Sequence, residues 1–174
     1  MATNRKLGRT TDIRLAMLKA QVTDLIWHEK IETTLTRAKE TKAIADSLIA
    51  LAIKEAGNSE EVEVKVSKAK VDEKGNKVTE LVKSKNGREY LKVVREETTE
   101  KRKKDMPSKL NARRKIMQNI NKVKDADGKN VDLATKLFDE LAPKYKDVKG
   151  GYTRIIRKGP RKGDSAETVI LELI

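Results

Sequence analysis

The chain changes its hydrophobic period twice, and that limits what it can fold into. Residues up to about 56 and after about 107 carry apolar side chains at spacings of three and four, the mark of helices that bury one side. Between them, Val62, Val64 and Val66 alternate with Glu61, Glu63, Lys65 and Ser67, a period of two that belongs to a half-exposed strand. The pattern predicts helices in both flanking parts and a strand-rich segment at 57–106 that interrupts them as an insertion.

In the first part, a helix starts at Thr10 or Thr11 with Asp12 in its first turn, and Leu15, Leu18, Val22, Leu25 and Ile26 form its core line. Residues 31–35 form a short strand. Thr36 caps a second helix, with Ile44, Leu48 and Leu51 inward, that ends at Gly57 in a left-handed conformation. In the middle part, runs at 77–83 and 89–95 follow the valine strand, with turns at Lys74-Gly75-Asn76 and Asn86-Gly87, which together predict a three-stranded antiparallel meander. Residues 96–105 are a solvated charge run. Its weak apolar content means that this meander leans on another surface or projects. In the last part, a helix after Pro107 carries Leu110, Met117, Ile120 and Val123 inward with Arg113, Arg114 and Lys115. A turn at Asp127-Gly128 leads to a helix over 132–142 that ends at Pro143. Strands at 152–157 and 168–174 then close a hairpin.

Charge carries the functional signal. Lys and Arg number 40 against 27 Asp and Glu, a net charge of +13, and charged residues make up 39% of the chain. An ordinary soluble domain has about 25%. The excess concentrates at the two ends: Met1 to Lys19 holds five cations against Asp12 alone, and Val148 to Gly163 holds six cations and no carboxylate. A phosphate backbone is the natural partner of such segments. Arg5, Lys6, Arg9 and Arg14 form an N-terminal arm (1–11) leading into the first helix, with Lys19 beyond it. Arg154, Arg157, Lys158, Arg161 and Lys162 lie among glycines that admit close phosphate approach, and Tyr152 beside them either stacks or packs.

The catalytic inventory is thin. There is no Cys and one His, so disulfides, thiolate metal sites and the usual Ser-His or zinc mechanisms lack partners; no cofactor, metal or small-molecule substrate is expected. His28, at the end of the first helix, reads as a boundary or RNA-contacting residue. The longest run free of polar residues is Leu48 to Ile53, too short to span a bilayer, and the N-terminus lacks the apolar segment of a signal, so a cytoplasmic protein without membrane partners is expected. Aromatics are 3% of the chain, which favours a reader of backbone and shape over a single-strand reader. Composition alone leaves open a DNA-architectural protein and an RNA-processing enzyme with a carboxylate site.

Specific strings narrow this. Arg5-Lys6-Leu7-Gly8-Arg9-Thr10, Ala16-Met17-Leu18, Ile31-Glu32-Thr33-Thr34 with Arg37-Ala38-Lys39-Glu40, Lys136-Leu137-Phe138-Asp139-Glu140-Leu141-Ala142-Pro143, and Gly150-Gly151-Tyr152-Thr153-Arg154-Ile155 through Gly159-Pro160-Arg161-Lys162-Gly163-Asp164 occur in order. Together they resemble the bacterial large-subunit ribosomal protein seventeen family over residues 1–56 and 107–174. The resemblance implies an α+β fold, with helices packed on a small mixed β-sheet, and a non-enzymatic constituent of the large ribosomal subunit that clamps folded ribosomal RNA and supports assembly and translation. It places the Arg5 to Arg14 arm, Arg37, Lys39, Arg113, Arg114 and the Tyr152 to Lys162 segment against RNA. It also implies large-subunit proteins twenty-two and thirty-two as neighbours. Residues 57–106 depart from it, since the family usually has a short connection there.

Overall fold

The run of 3,4 spacing near the N-terminus becomes α1 (Thr11–His28, 18 residues), which buries Leu18, Val22, Leu25 and Ile26. The computed structural model describes residues 5–73 and 75–174; positions 1–4 of the expected basic arm and Lys74 of the expected 74–76 turn lie outside the described residues. Leu15, expected in the α1 core line, is 55% exposed. It rims a shallow hollow with Leu18, Lys19 and Ile44 that no side chain fills.

Glu29 terminates α1 in the left-handed region (φ 61), and the chain turns into β1 (Lys30–Thr34) and α2 (Leu35–Glu55). Thr34, not Thr36, is the residue preceding α2, because β1 runs directly into the helix without a connecting loop. The buried side of α2 is Ala38, Thr41, Ala45, Leu48, Ile49 and Ala52, while Ile44 and Leu51 are half-buried. Small side chains let α1 and the sheet approach closely, while Leu48 and Ile49 fill the core and Ile44 and Leu51 pack against its edge. The helix ends at Glu55 with Ala56 still right-handed, and Gly57 does not adopt a positive φ.

Two compact units are present, one formed by Met1–Asn58 with Met106–Ile174 and the other by Ser59–Asp105. In the first, α3 (Pro107–Asn119) buries Lys109, Ala112 and Ile116, leaving Leu110 and Met117 exposed, contrary to the expected line. It stops at Ile120, whose backbone is extended, and the Asn121 amide donates to the Thr23 hydroxyl of α1 at 2.9 Å. Val123 is therefore not helical. It lies in β6 (Val123–Lys124), which pairs with β7 (Asn130–Val131) around the 127–128 turn. The helix after Asp132 runs from α4 (Leu133–Lys136) through a π-turn at Leu137–Leu141 into α5 (Ala142–Lys144). Ala142 donates five residues back to Leu137, so Pro143, which has no amide, follows a turn already widened and does not end the helix.

Strands β8 (Thr153–Pro160) and β9 (Glu167–Leu173) complete a three-stranded sheet in the order β1-β9-β8. It is antiparallel throughout, not mixed, because β1 and β8 both run against the central β9. Alternation sends Ile31, Leu171 and Ile155 of one cross-strand row inward against Leu25, Ala38 and Ala45. A larger cluster joins Val22, Ile26, Leu48 and Ile49 to Ile116, Leu137, Phe138 and Leu141. These two cores fix the surfaces on which the basic segments sit.

The second unit has four strands where three were expected. β2 (Ser59–Ala69) pairs with β5 (Arg95–Asp105) along its whole length, and β3 (Thr79–Lys83) pairs with β4 (Glu89–Val93). The run at 96–105 is solvated as expected, with almost all its side chains exposed, but its backbone is a strand. Its charges complement those of β2 across the ladder, with Glu60 opposite Lys104, Glu61 opposite Lys103, Glu63 opposite Lys101 and Lys68 opposite Glu96. The two ladders meet at a ring of three backbone hydrogen bonds: Lys70 donates to Val94 (2.9 Å), Val94 to Val78 (3.0 Å) and Val78 to Lys70 (2.9 Å). A third, short arm closes by the Val71–Lys77 bridge. The unit is a three-way junction of ribbons, not a meander.

Candidate nucleic-acid interface

Residues 6–9 of the N-terminal arm make a tight turn. Leu7 and Gly8 are both left-handed (φ 55 and 65), a pair of conformations that suits glycine, and the Arg9 amide donates to Lys6. Arg5, Lys6 and Arg9 are all exposed, and Arg5 lies 3.8 Å from Glu40 of α2, which ties the turn to that helix. Thr10 precedes α1 without capping it. Its hydroxyl and the Ile13 amide instead serve the Asp12 carboxyl and hold it below its ordinary value. Arg14 and Lys19 are half-buried on α1.

Some of the expected cations converge. Arg37, in the first turn of α2, and Arg161, in the β8–β9 loop, line one cleft of about 390 Å³ with Gln21, Glu32, Thr33, Thr34 and Thr168. Guanidinium groups and hydroxyls on one space suit a phosphate, which would draw Arg161 from its Asp164 partner. Gln21 holds this wall: it accepts from Thr41 (2.9 Å) and donates to Thr33 (3.0 Å), joining α2, α1 and β1 in one chain of bonds. Lys42 works similarly further along α2, donating to the Thr153 carbonyl at 2.5 Å while the Thr153 hydroxyl donates to Asp46 at 2.9 Å, which fixes the start of β8. Sequence reading missed Gln21, Thr41, Lys42 and Asp46, because each acts through tertiary partners far along the chain.

Pairing sorts the remaining cations. On the outer face of the sheet, Glu172 stands between Lys30 (3.9 Å) and Arg154 (2.5 Å), and Glu32 accepts from Lys158 at 2.9 Å through both oxygens. Arg161 is forked onto Asp164 at 2.9 and 2.5 Å. That guanidinium, with help from the Ala166 amide, pulls the Asp164 carboxyl down to about 2. Gly159, at φ 116, carries the bulge that breaks the β8–β9 register after Arg157 and so sets where Arg157 and Lys158 point. Among the described residues, Arg9, Lys39, Arg114, Lys115, Arg157 and Lys162 are exposed and form no side-chain ion pair.

Two expected contacts are turned inward. Arg113 donates to Asp132 (3.0 Å) and Thr135 (3.2 Å), and its guanidinium lies 5.8 Å from the Phe138 ring centre. Burial tends to raise the Asp132 carboxyl, but bonds from the Thr135 hydroxyl and amide, the charge of Arg113 and the Ala134 amide outweigh it and leave the group lowered. Tyr152 packs rather than stacks on a ligand: it is 6% exposed, with its ring 5.5 Å from that of Tyr145. Tyr145 in turn donates to the Ile174 carbonyl at 2.5 Å, closing the end of β9 onto the helical side. His28 is exposed, stacked on Trp27 at 5.0 Å. Among the described residues no group of three His, Asp or Glu side chains is placed to hold a metal ion, and no helix is long and apolar enough to cross a membrane.

Comparison with known proteins connects this surface to a family. The family description "Ribosomal protein L17" matches residues 17–174. A large ribosomal subunit protein bL17 from Acetivibrio thermocellus is 58% identical over 174 residues, covering all of both chains. The chain belongs to the ribosomal protein L17 family. L17 proteins from Ruminiclostridium cellulolyticum and Lachnospira eligens are 56% and 48% identical, again with both chains fully covered. The family is one of structural ribosomal components, not of enzymes. Full coverage means that these L17 relatives also carry a segment between α2 and α3 comparable to Ser59–Asp105, so that segment is shared among them rather than private to this chain. Arg5, Lys6, Arg9 and Arg14 precede the matched stretch.

Proposed function

We propose that this protein is a structural constituent of the large ribosomal subunit in the cytoplasm, where it clamps folded ribosomal RNA and supports subunit assembly and translation. The observation that carries the reading is the full-length likeness to relatives named as large-subunit proteins. The mechanism is phosphate neutralisation with counterion release. A rigid α+β body holds three basic surfaces in fixed mutual geometry: the arm with Arg5, Lys6 and Arg9, the Arg37–Arg161 cleft, and Arg114 with Lys115 on α3. Arg14, Lys19, Lys39, Arg154, Arg157, Lys158 and Lys162 supply further contacts, some only after exchanging an internal carboxylate for a phosphate. Recognition is of backbone and shape, because four of the five aromatic side chains are half-buried or buried. Large-subunit proteins twenty-two and thirty-two are the proposed neighbours.

Competition tests the reading against a general polyanion binder. The full chain is bound to labelled large-subunit RNA and challenged with duplex DNA at constant salt. Retention of the RNA complex at a hundredfold excess of DNA phosphate is the expected result, and displacement at parity would return the DNA-architectural reading.

A further inference from the structure

The Ser59–Asp105 unit divides its charge unevenly. The long β2–β5 ribbon holds seven cations and seven carboxylates, arranged across the ladder so that it neutralises itself; Lys68 pairs with Glu100 and Arg102 with the same carboxylate at 3.0 Å. The β3–β4 arm, residues 79–93, holds four cations and two carboxylates. One of those carboxylates is engaged by Lys83, 3.0 Å from Glu89. Glu80 stands opposite Lys92, so the net positive charge of this ribbon lies toward its turn, at Lys85 and Arg88.

The same arm displays an aromatic ring. Phe138, Tyr145 and Tyr152 are buried in the other unit and Trp27 is half-buried there, whereas Tyr90 is 49% exposed. By the β3–β4 register Tyr90 stands opposite Val82, and Lys92 opposite Glu80, all on one face. These four, with Leu91, Val93, Val94 and Arg95, line a hollow of about 690 Å³. A two-stranded ribbon gains little by exposing a large ring to water, and isolated ribbons of this size are marginal without a covering partner. A flat ring bordered by an apolar floor and flanked by Lys92 and Arg95 matches one unpaired nucleobase with its neighbouring phosphates. On the opposite face Leu81 and Leu91 are 68% and 66% exposed, and its cation, Lys83, is held by Glu89.

We propose that the β3–β4 arm is a second, single-strand RNA contact in which Tyr90 stacks on an unpaired base while Lys92 and Arg95 meet the adjacent phosphates. This rests on the ribosomal reading above and adds to it a site that reads an exposed base, a mode unlike the backbone recognition of the first unit. The occupant is RNA because the arm carries net positive charge and Arg95 adds a cation beside the Lys92–Glu80 pair, next to the exposed ring.

The test uses the full chain in assembled subunits. Tyr90 is replaced by p-benzoylphenylalanine, the protein is incorporated into large subunits, and the photoproduct is identified after irradiation; in parallel, base-reactive chemical probing compares wild type, Tyr90→Phe and Tyr90→Ala. A cross-link to ribosomal RNA, with an unpaired base that is protected in wild type and Tyr90→Phe and gains about 5- to 100-fold in reactivity in Tyr90→Ala, is the expected result. A cross-link to a protein, no cross-link, or equal reactivity in all three chains overturns the proposal while leaving a co-sedimenting chain as a ribosomal constituent. Failure of the wild-type chain to enter subunits overturns both.

Discussion

Asp132 joins a helix cap to an ion pair, and replacing it by Ala removes both. One carboxylate oxygen accepts from the Ala134 and Thr135 amides at 3.1 and 3.3 Å, and the other from the Thr135 hydroxyl at 2.7 Å and Arg113 at 3.0 Å. Losing an N-cap of this kind costs about 1 kcal/mol. The charge-assisted bond to Arg113 adds about 1 kcal/mol, at the lower end of its range because the Asp132 side chain is 54% exposed. Asp132→Ala is therefore expected to destabilise the first unit by about 2 kcal/mol, whereas Asp132→Asn, which keeps a good cap, loses about 1 kcal/mol. The single tryptophan makes the assay direct, since Trp27 packs against the cluster containing Leu133 and Ala134, so urea unfolding followed by its fluorescence reports on this unit. Protonation supplies a second readout. The Asp132 carboxyl is lowered in the folded state, so its contribution is fully present above the unfolded value near pH 4 and is lost as pH falls through the lower folded value. The wild-type advantage over Asp132→Asn should thus shrink below about pH 4. A loss under 0.5 kcal/mol for Ala, or equal losses for Ala and Asn at pH 7, would refute the reasoning.

Alanine at Arg114, Lys115, Arg157 or Lys162 should each reduce the slope of log affinity against log salt for ribosomal RNA by up to about one unit, while Arg113→Ala leaves the slope unchanged and lowers stability; filter binding at several salt concentrations separates them. Glu172→Gln removes the carboxylate between Lys30 and Arg154, so RNA affinity at low salt should rise about threefold and the gain should vanish at high salt. Deleting residues 60–104 leaves Asn58-Ser59-Asp105-Met106, a four-residue turn whose closing bond from the Met106 amide to the Asn58 carbonyl already exists at 3.1 Å. The Trp27 unfolding transition should stay within about 0.5 kcal/mol of the parent, and loss of cooperative unfolding would contradict that junction.

The elements of the first unit were legible wherever local pattern and tertiary packing agreed. Leu18, Val22 and Ile26 announced α1, and the hairpin strands at the C-terminus announced β8 and β9. The misplaced faces share a cause: α2 and α3 pack through Ala38, Ala45, Ala52 and Ala112, whose small size lets neighbours close in, so the bulky Ile44, Leu110 and Met117 end up toward the surface. β5 was hidden because both its sides carry charged and Thr side chains with no alternation of hydropathy, and its partner β2 lies some thirty residues away. The cations of the interface were visible as residues, yet their pairing was not. Only the sheet register reveals that Arg154 and Lys158 face Glu172 and Glu32, and only the packing of α4 reveals that Arg113 turns toward Asp132.

Sedimentation of a lysate through a sucrose gradient, with each fraction probed for this chain at low and high salt, tests the ribosomal role most directly. Co-migration with the large subunit that survives the high-salt wash is predicted. A position at the top of the gradient, or release by modest salt, would contradict an integral role in the subunit.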